Sequence, residues 1–170
     1  MNGFLLDTNA LSELRKPRPA PGVVAFVAAQ AEDDLFVSDV AFAEIRFGIE
    51  QLQDPERRAL LISWLDNELR PLFSGRTLPI SEDVLLRWRL MLEAGRRRRH
   101  TFGQPDLLIA ASAAEASLIV VTRDTVHFVA APVPVLDPWT GTFTPAGGEP
   151  VSVADLEDPQ LLGKLVASAG

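Results

Sequence analysis

Four acids stand at similar places in this chain: Asp7, Glu44, Asp106 and Asp124. Asp7 ends the apolar run Phe4-Leu5-Leu6, which reads as a short buried strand. Asp124 lies just past Ser117-Leu118-Ile119-Val120-Val121-Thr122, a continuous β-branched run and the clearest strand in the sequence. Glu44 falls about one turn into a helix expected from Val40 to about Gln53, after the strand Leu35-Phe36-Val37-Ser38. Asp106 sits in the first turn of a helix opened by Pro105. In an open parallel sheet, strand carboxyl ends and the first turns of the following helices share one edge. The helix that begins at Asp106 must run back along the sheet to feed Leu118, so its start lies at that edge too. The four acids are therefore expected to meet.

Such a meeting has a chemical consequence. Two unit charges 4 Å apart repel by about 4 kcal/mol at an effective dielectric of 20. Without a counter-ion, some of the carboxyls would stay protonated. A divalent cation removes the conflict, and carboxylate oxygens suit Mg2+ or Mn2+. Such an ion lowers the pKa of a bound water and neutralises charge growing on a phosphoryl oxygen, two services that phosphodiester hydrolysis needs. Each acid alone has an ordinary structural reading. Asp7 could cap a helix, Glu44 could pair with Arg46, Asp106 could favour a helix dipole, and Asp124 could sit in a turn. The shared edge is what points to chemistry. The basic run Arg96, Arg97, Arg98 and Arg99 reads as a loop close to Asp106, where cations could hold an RNA strand entering the cluster. His127 reads as structural.

The elements that must position these groups follow from punctuation and periodicity. A short helix runs from Ala10 to Arg15. Three prolines within Pro17–Pro21 break the chain, and a second helix runs from Pro21 to about Ala31. Asp54-Pro55 starts a helix to about Leu69, with Leu60, Leu61, Trp64, Leu65 and Leu69 as its apolar face. Thr77 to Ile80 reads as an edge strand. Ser81 caps a helix that ends near Gly95, and Val133 to Leu136 is a last strand. Strands alternating with helices imply a mostly parallel sheet with helices on both faces. Residues 1–139 are expected to form one domain. Residues 140–170 are expected to be an extension, weakly structured or partner-binding, with a short helix from Pro159 to Val166.

Composition sets outer limits. The 170 residues suffice for one domain with a sizeable core. The chain has no cysteine, which excludes disulfides and thiolate metal sites and favours a cytoplasmic location. No apolar run is long enough to span a membrane. A formal net charge of −7 argues against an extended nucleic-acid coat but leaves room for local phosphate binding.

The stretches FLLDTNALSEL, VSDVAFAEIRFGI, QPDLLIAASAAEASLIVVTRDTVHF and VPVLDPW resemble the PIN-domain ribonucleases, and within them the VapC and FitB toxins of bacterial toxin–antitoxin pairs. The resemblance spans about Phe4 to Trp139. It implies an α/β/α sandwich and Mg2+- or Mn2+-dependent endonuclease activity on RNA. By position, Asp7, Glu44 and Asp106 match the three principal acids and Asp124 the more variable fourth. Asp7 and Asp106 would be direct metal ligands, with Glu44 and Asp124 binding directly or through water. Thr8, Asn9, Ser38 and Thr122 match supports for the acids and the water. The resemblance also implies a homodimer and a cognate VapB-like antitoxin whose C-terminal segment enters the acidic pocket. Similar chains often stop soon after the motif that Asp137-Pro138-Trp139 matches, whereas this one runs on to Gly170. Two other readings are a haloacid-dehalogenase-type phosphatase with Asp7 as nucleophile and a regulatory Mg2+-binding domain. The first wants a second acid two residues on, where this chain has Asn9; the second wants an acid pair after the first strand.

Overall fold

The structure is a computed structural model that describes residues 3–169, leaving aside the side chains of residues 159, 168 and 169. In chain order the strands are β1 (Phe4–Leu6), β2 (Leu35–Ser38), β3 (Thr77–Leu78), β4 (Ile119–Val121), β5 (Val135–Asp137), β6 (Thr142–Thr144) and β7 (Val151–Ser152). The helices are α1 (Thr8–Leu14), α2 (Pro21–Ala29), α3 (Asp39–Glu50), α4 (Pro55–Trp64), α5 (Arg70–Leu72), α6 (Glu82–Arg97), α7 (Gln104–Ala116), α8 (Thr125–Val129) and α9 (Pro159–Ala169). The sheet order is β3-β2-β1-β4-β5-β6-β7. Strands β1 to β5 pair in parallel, while β6 and β7 add antiparallel.

The central strands are buried on both faces, which is why they read as unbroken apolar runs. Side chains alternate along them. Phe4, Leu6, Val37, Val121 and Leu136 face one layer, built from α1, α2, α3 and the α4–α5 segment. Leu5, Phe36, Val120 and Val135 face the other, built from α6, α7 and α8. Each fully buried Leu or Phe contributes about 1.5–3 kcal/mol. The expected α/β/α sandwich is what forms.

Three elements depart from the sequence expectation. The helix expected to run unbroken to Leu69 changes to one π-helical turn at Leu65–Leu69. The wider turn brings Leu65 and Leu69 into the core and leaves Leu60 in solvent. Helix α6 runs past Gly95 to Arg97, so Arg96 and Arg97 are helical and only Arg98 and Arg99 belong to the loop. Arginine is a good helix former, and cations suit a helix carboxyl terminus. The stretch after residue 139, expected to be weakly structured or partner-binding, is not loose. Strand β6 covers the edge of β5 in register Leu136↔Phe143, and Leu162 of α9 is 1% exposed in the same apolar layer as Phe4 and Phe26. Short elements between glycines and prolines leave little periodic signal, and their burial comes from the sheet edge they cover.

Candidate active site

Strand β1 delivers Asp7 to the carboxyl edge of the sheet. The Asp7 N–H donates to Val121 O at 3.0 Å, the last rung between β1 and β4, so the side chain emerges where the two strands part. The carboxylate is 5% exposed. A charge so placed must be met by donors, and three arrive. The Thr8 N–H donates to Oδ1 at 2.7 Å, which also makes Asp7 the cap of α1. The Thr122 hydroxyl donates to Oδ2 at 2.8 Å, and Asn9 Nδ2 reaches the same oxygen at 3.1 Å.

Thr122 and Asn9 tie the ends of β1 and β4 together. Thr122 is fully buried, and its oxygen accepts from Asn9 Nδ2 at 2.9 Å and from the Asp124 N–H at 3.0 Å. Asn9 Nδ2 also reaches Asp124 Oδ2 at 3.2 Å, while Asn9 Oδ1 accepts from the Arg123 N–H at 3.3 Å. Asp124 begins α8 without capping it through its side chain, so its carboxylate is left to face the cleft.

Asp106 enters from the first turn of α7, half-buried, with His127 Nδ1 3.9 Å from its Oδ2. Gly103 precedes this turn because space is short: a Cβ there would lie 3.0 Å from Asp106 Oδ2. Glu44, from α3, completes the wall of a cleft of about 440 Å³ that all four acids line. Burial pushes the Asp7 carboxyl above its ordinary value. The Thr122 and Thr8 donors pull it back, and the charges of Asp106 and Asp124 raise it again. Asp106 is also raised, first by burial and then by Asp124, against the pull of His127. These carboxylates therefore sense one another across the cleft.

The donor set is all hard oxygen and suits a divalent cation. Asp7, Asp106 and Asp124 are the residues that could hold one, with Glu44 at the wall. Among the described residues, no three acids or histidines are already drawn around one point as a finished ligand cage. The cleft is open enough for water to complete a coordination shell.

The remaining expected residues divide. Thr8 and Asn9 line the cleft, and Thr122 braces it from beneath. Ser38 does not line it; the hydroxyl accepts from the Ala41 N–H at 3.2 Å and caps α3, so it supports the helix that carries Glu44. Arg96, Arg97, Arg98 and Arg99 do not line it either. Arg96 pairs with Glu93 at 3.0 Å, and Arg98 lines a separate cavity with His100 and Phe102. His127, expected to be structural, is instead exposed beside Asp106. Sequence reasoning missed Glu13, Lys16 and Arg123, which also line the cleft. The available signal was Glu13, an acid three residues after Ala10 on the apolar side of α1.

Residues 4–132 match the PIN domain family. The chain is 36% identical over 136 residues to Toxin FitB of Neisseria gonorrhoeae, covering 80% of this chain and 98% of that one. It is 34% identical over 136 residues to VapC ribonuclease Y4jK of Sinorhizobium fredii, covering 80% and 97%. Among solved structures, FitAcB from N. gonorrhoeae superposes with a TM-score of 0.75 at 36% identity, covering 80% of this chain and 98% of that one. With the fold and an acid-lined cleft at the strand ends in place, the chain belongs to the PIN domain family.

Proposed function

We propose that the protein is the toxin of a toxin–antitoxin pair, acting as a Mg2+- or Mn2+-dependent endoribonuclease. The observation that carries this reading is the shared cleft of Asp7, Asp106 and Asp124, in which the Asp7 and Asp106 carboxyls are held above their ordinary range by burial first and then in part by the Asp124 charge. The similar chains are named a toxin and a ribonuclease, and a second solved structure, FitAB, is bound to a DNA fragment. They support, for this chain, an RNA substrate and a cognate VapB-like antitoxin, and the same proposal carries a homodimer.

A bound divalent cation would supply charge neutralisation at the phosphate and a water of lowered pKa. Asp7 and Asp106 would hold it, with Glu44 and Asp124 contributing directly or through water. The Thr8, Thr122 and Asn9 donors fix the Asp7 carboxylate in one orientation. Glu44 and Asp124, on the cleft wall, are the groups left to take up the proton lost on hydrolysis. The phosphatase reading gains nothing, because Asn9 stands where the second acid would be and its amide is used on Asp7, Thr122 and Asp124.

The test is cleavage of total RNA by wild type and by Asp106→Asn, each with Mg2+ and with EDTA. Cutting only by wild type with metal is expected. Equal cutting by both proteins, or cutting in EDTA, would overturn the metal site.

A further inference from the structure

An acid-lined cleft repels the polyanion it is proposed to cut, so the substrate must be held by cations set beside the acids. Two cations line the cleft, Lys16 and Arg123. They stand on different elements. Lys16 follows α1, two residues past its end, and Arg123 lies between Thr122 and Asp124.

Each is held by a neighbour, Lys16 by the buried acid Glu13 and Arg123 by Trp139. Glu13 is 5% exposed. Its Oε2 pairs with Lys16 Nζ at 2.5 Å, and its Oε1 accepts from the Ala20 N–H at 2.9 Å. The Lys16 contact, and then the Ala20 N–H, hold this carboxyl below its ordinary value. The Arg123 guanidinium lies 5.8 Å from the centre of the Trp139 ring, within cation–π reach. Lys16 is thus held by Glu13 and Arg123 by Trp139, and both cations line the cleft. Lys16 keeps half of its side chain in solvent and spends only part of its donor capacity on Glu13. Arg123 is exposed, and its backbone is pinned to Asn9.

We infer that Lys16 and Arg123 are the residues that grip the RNA phosphates flanking the scissile bond, and that Glu13 is a positioning residue that holds Lys16 at the cleft. The inference rests on the nuclease reading above and replaces Arg96–Arg99 as the RNA contact.

The experiment has two arms. Binding is read by anisotropy of a labelled single-stranded RNA with Mg2+ across a salt series, using Asp106→Asn protein so that the RNA stays intact. Cleavage kinetics are read with Asp106 present. Lys16→Gln and Arg123→Gln are each expected to weaken binding by roughly threefold to tenfold at low salt and to flatten the plot of log Kd against log salt by about 0.7. KM should rise with kcat within about twofold. Arg89→Gln, which removes an equal charge from the exposed face of α6, should leave the slope unchanged. Glu13→Gln should weaken binding like Lys16→Gln. The double variant Glu13→Gln/Lys16→Gln should bind no worse than Lys16→Gln with Glu13 intact, a non-additivity that a merely structural role would not give. If wild type cuts RNA but Lys16→Gln and Arg123→Gln keep its salt slope, the inference is wrong while the nuclease reading stands. If wild type neither binds nor cuts RNA, both fall.

Discussion

Replacing Asp124 with asparagine should make the metal-free protein more stable. Asn9 Nδ2 lies 3.1 Å from Asp7 Oδ2 and 3.2 Å from Asp124 Oδ2, so the two oxygens are no more than about 6 Å apart. At that separation two unit charges repel by about 3 kcal/mol at an effective dielectric of 20 and by under ~1 kcal/mol in bulk water. Asp124 is exposed, so a value of about 1–2 kcal/mol is reasonable. Asparagine keeps an oxygen for the Asn9 amide, and no helix cap is lost because the Asp124 side chain makes none. For a chain of this size the gain corresponds to a rise in Tm of roughly 2–8 °C in EDTA at pH 7.5 and low salt. The pH dependence has a definite sign. The Asp7 carboxyl is raised above 3.8 in the folded protein, by burial first and in part by Asp124. Folding therefore takes up a proton at Asp7, and the Asp7 contribution to the stability of the metal-free protein is lost as pH rises through its folded pKa. The advantage of Asp124→Asn should open over that same interval and close below it, where Asp7 is protonated. Salt should narrow it by screening, and saturating Mg2+ should remove it because the cation meets the charge instead. Thermal unfolding in EDTA across pH and salt reads all of this. A variant no more stable than wild type at pH 7.5, or a difference indifferent to salt, would refute the charge-crowding argument.

Two further outcomes follow from the packing around the site. Thr122→Val keeps the shape but removes the donor to Asp7 and the acceptor for the Asp124 N–H. It should cost about 2–3 kcal/mol in urea unfolding, with Thr122→Ser retaining most of that. Gly22→Ala should destabilise strongly, because its Cβ would lie 2.1 Å from the Pro138 backbone oxygen beside Trp139. Gly48→Ala in α3 meets nothing within 4 Å and should stabilise by about 0.5–1 kcal/mol; equal effects at the two glycines in thermal unfolding would contradict the packing described.

The sequence was most legible where a signal repeats or stops sharply. The runs Phe4–Leu6, Leu35–Ser38 and Ile119–Val121 announce buried parallel strands because both faces are covered, and each ends in polar groups that mark the functional edge. Asp7, Asp106 and Asp124 could be placed at one edge from connectivity alone, since a parallel sheet leaves no other place for them. It was least legible where the deciding partner is remote. Nothing in Thr142–Thr144 says that a bare β5 edge awaits it.

The sequence by itself determined which groups carry charge and which segments must be buried, because residue type fixes solvation cost and periodicity fixes which face is apolar. Tertiary structure alone decided how those charges are held. That Thr122 donates to Asp7, and Asn9 to Asp124, each across 115 positions, are facts of distance between segments. Hydrogen bonds and ion pairs act over a few ångströms, and the separation along a chain says little about the separation in space once the chain has folded.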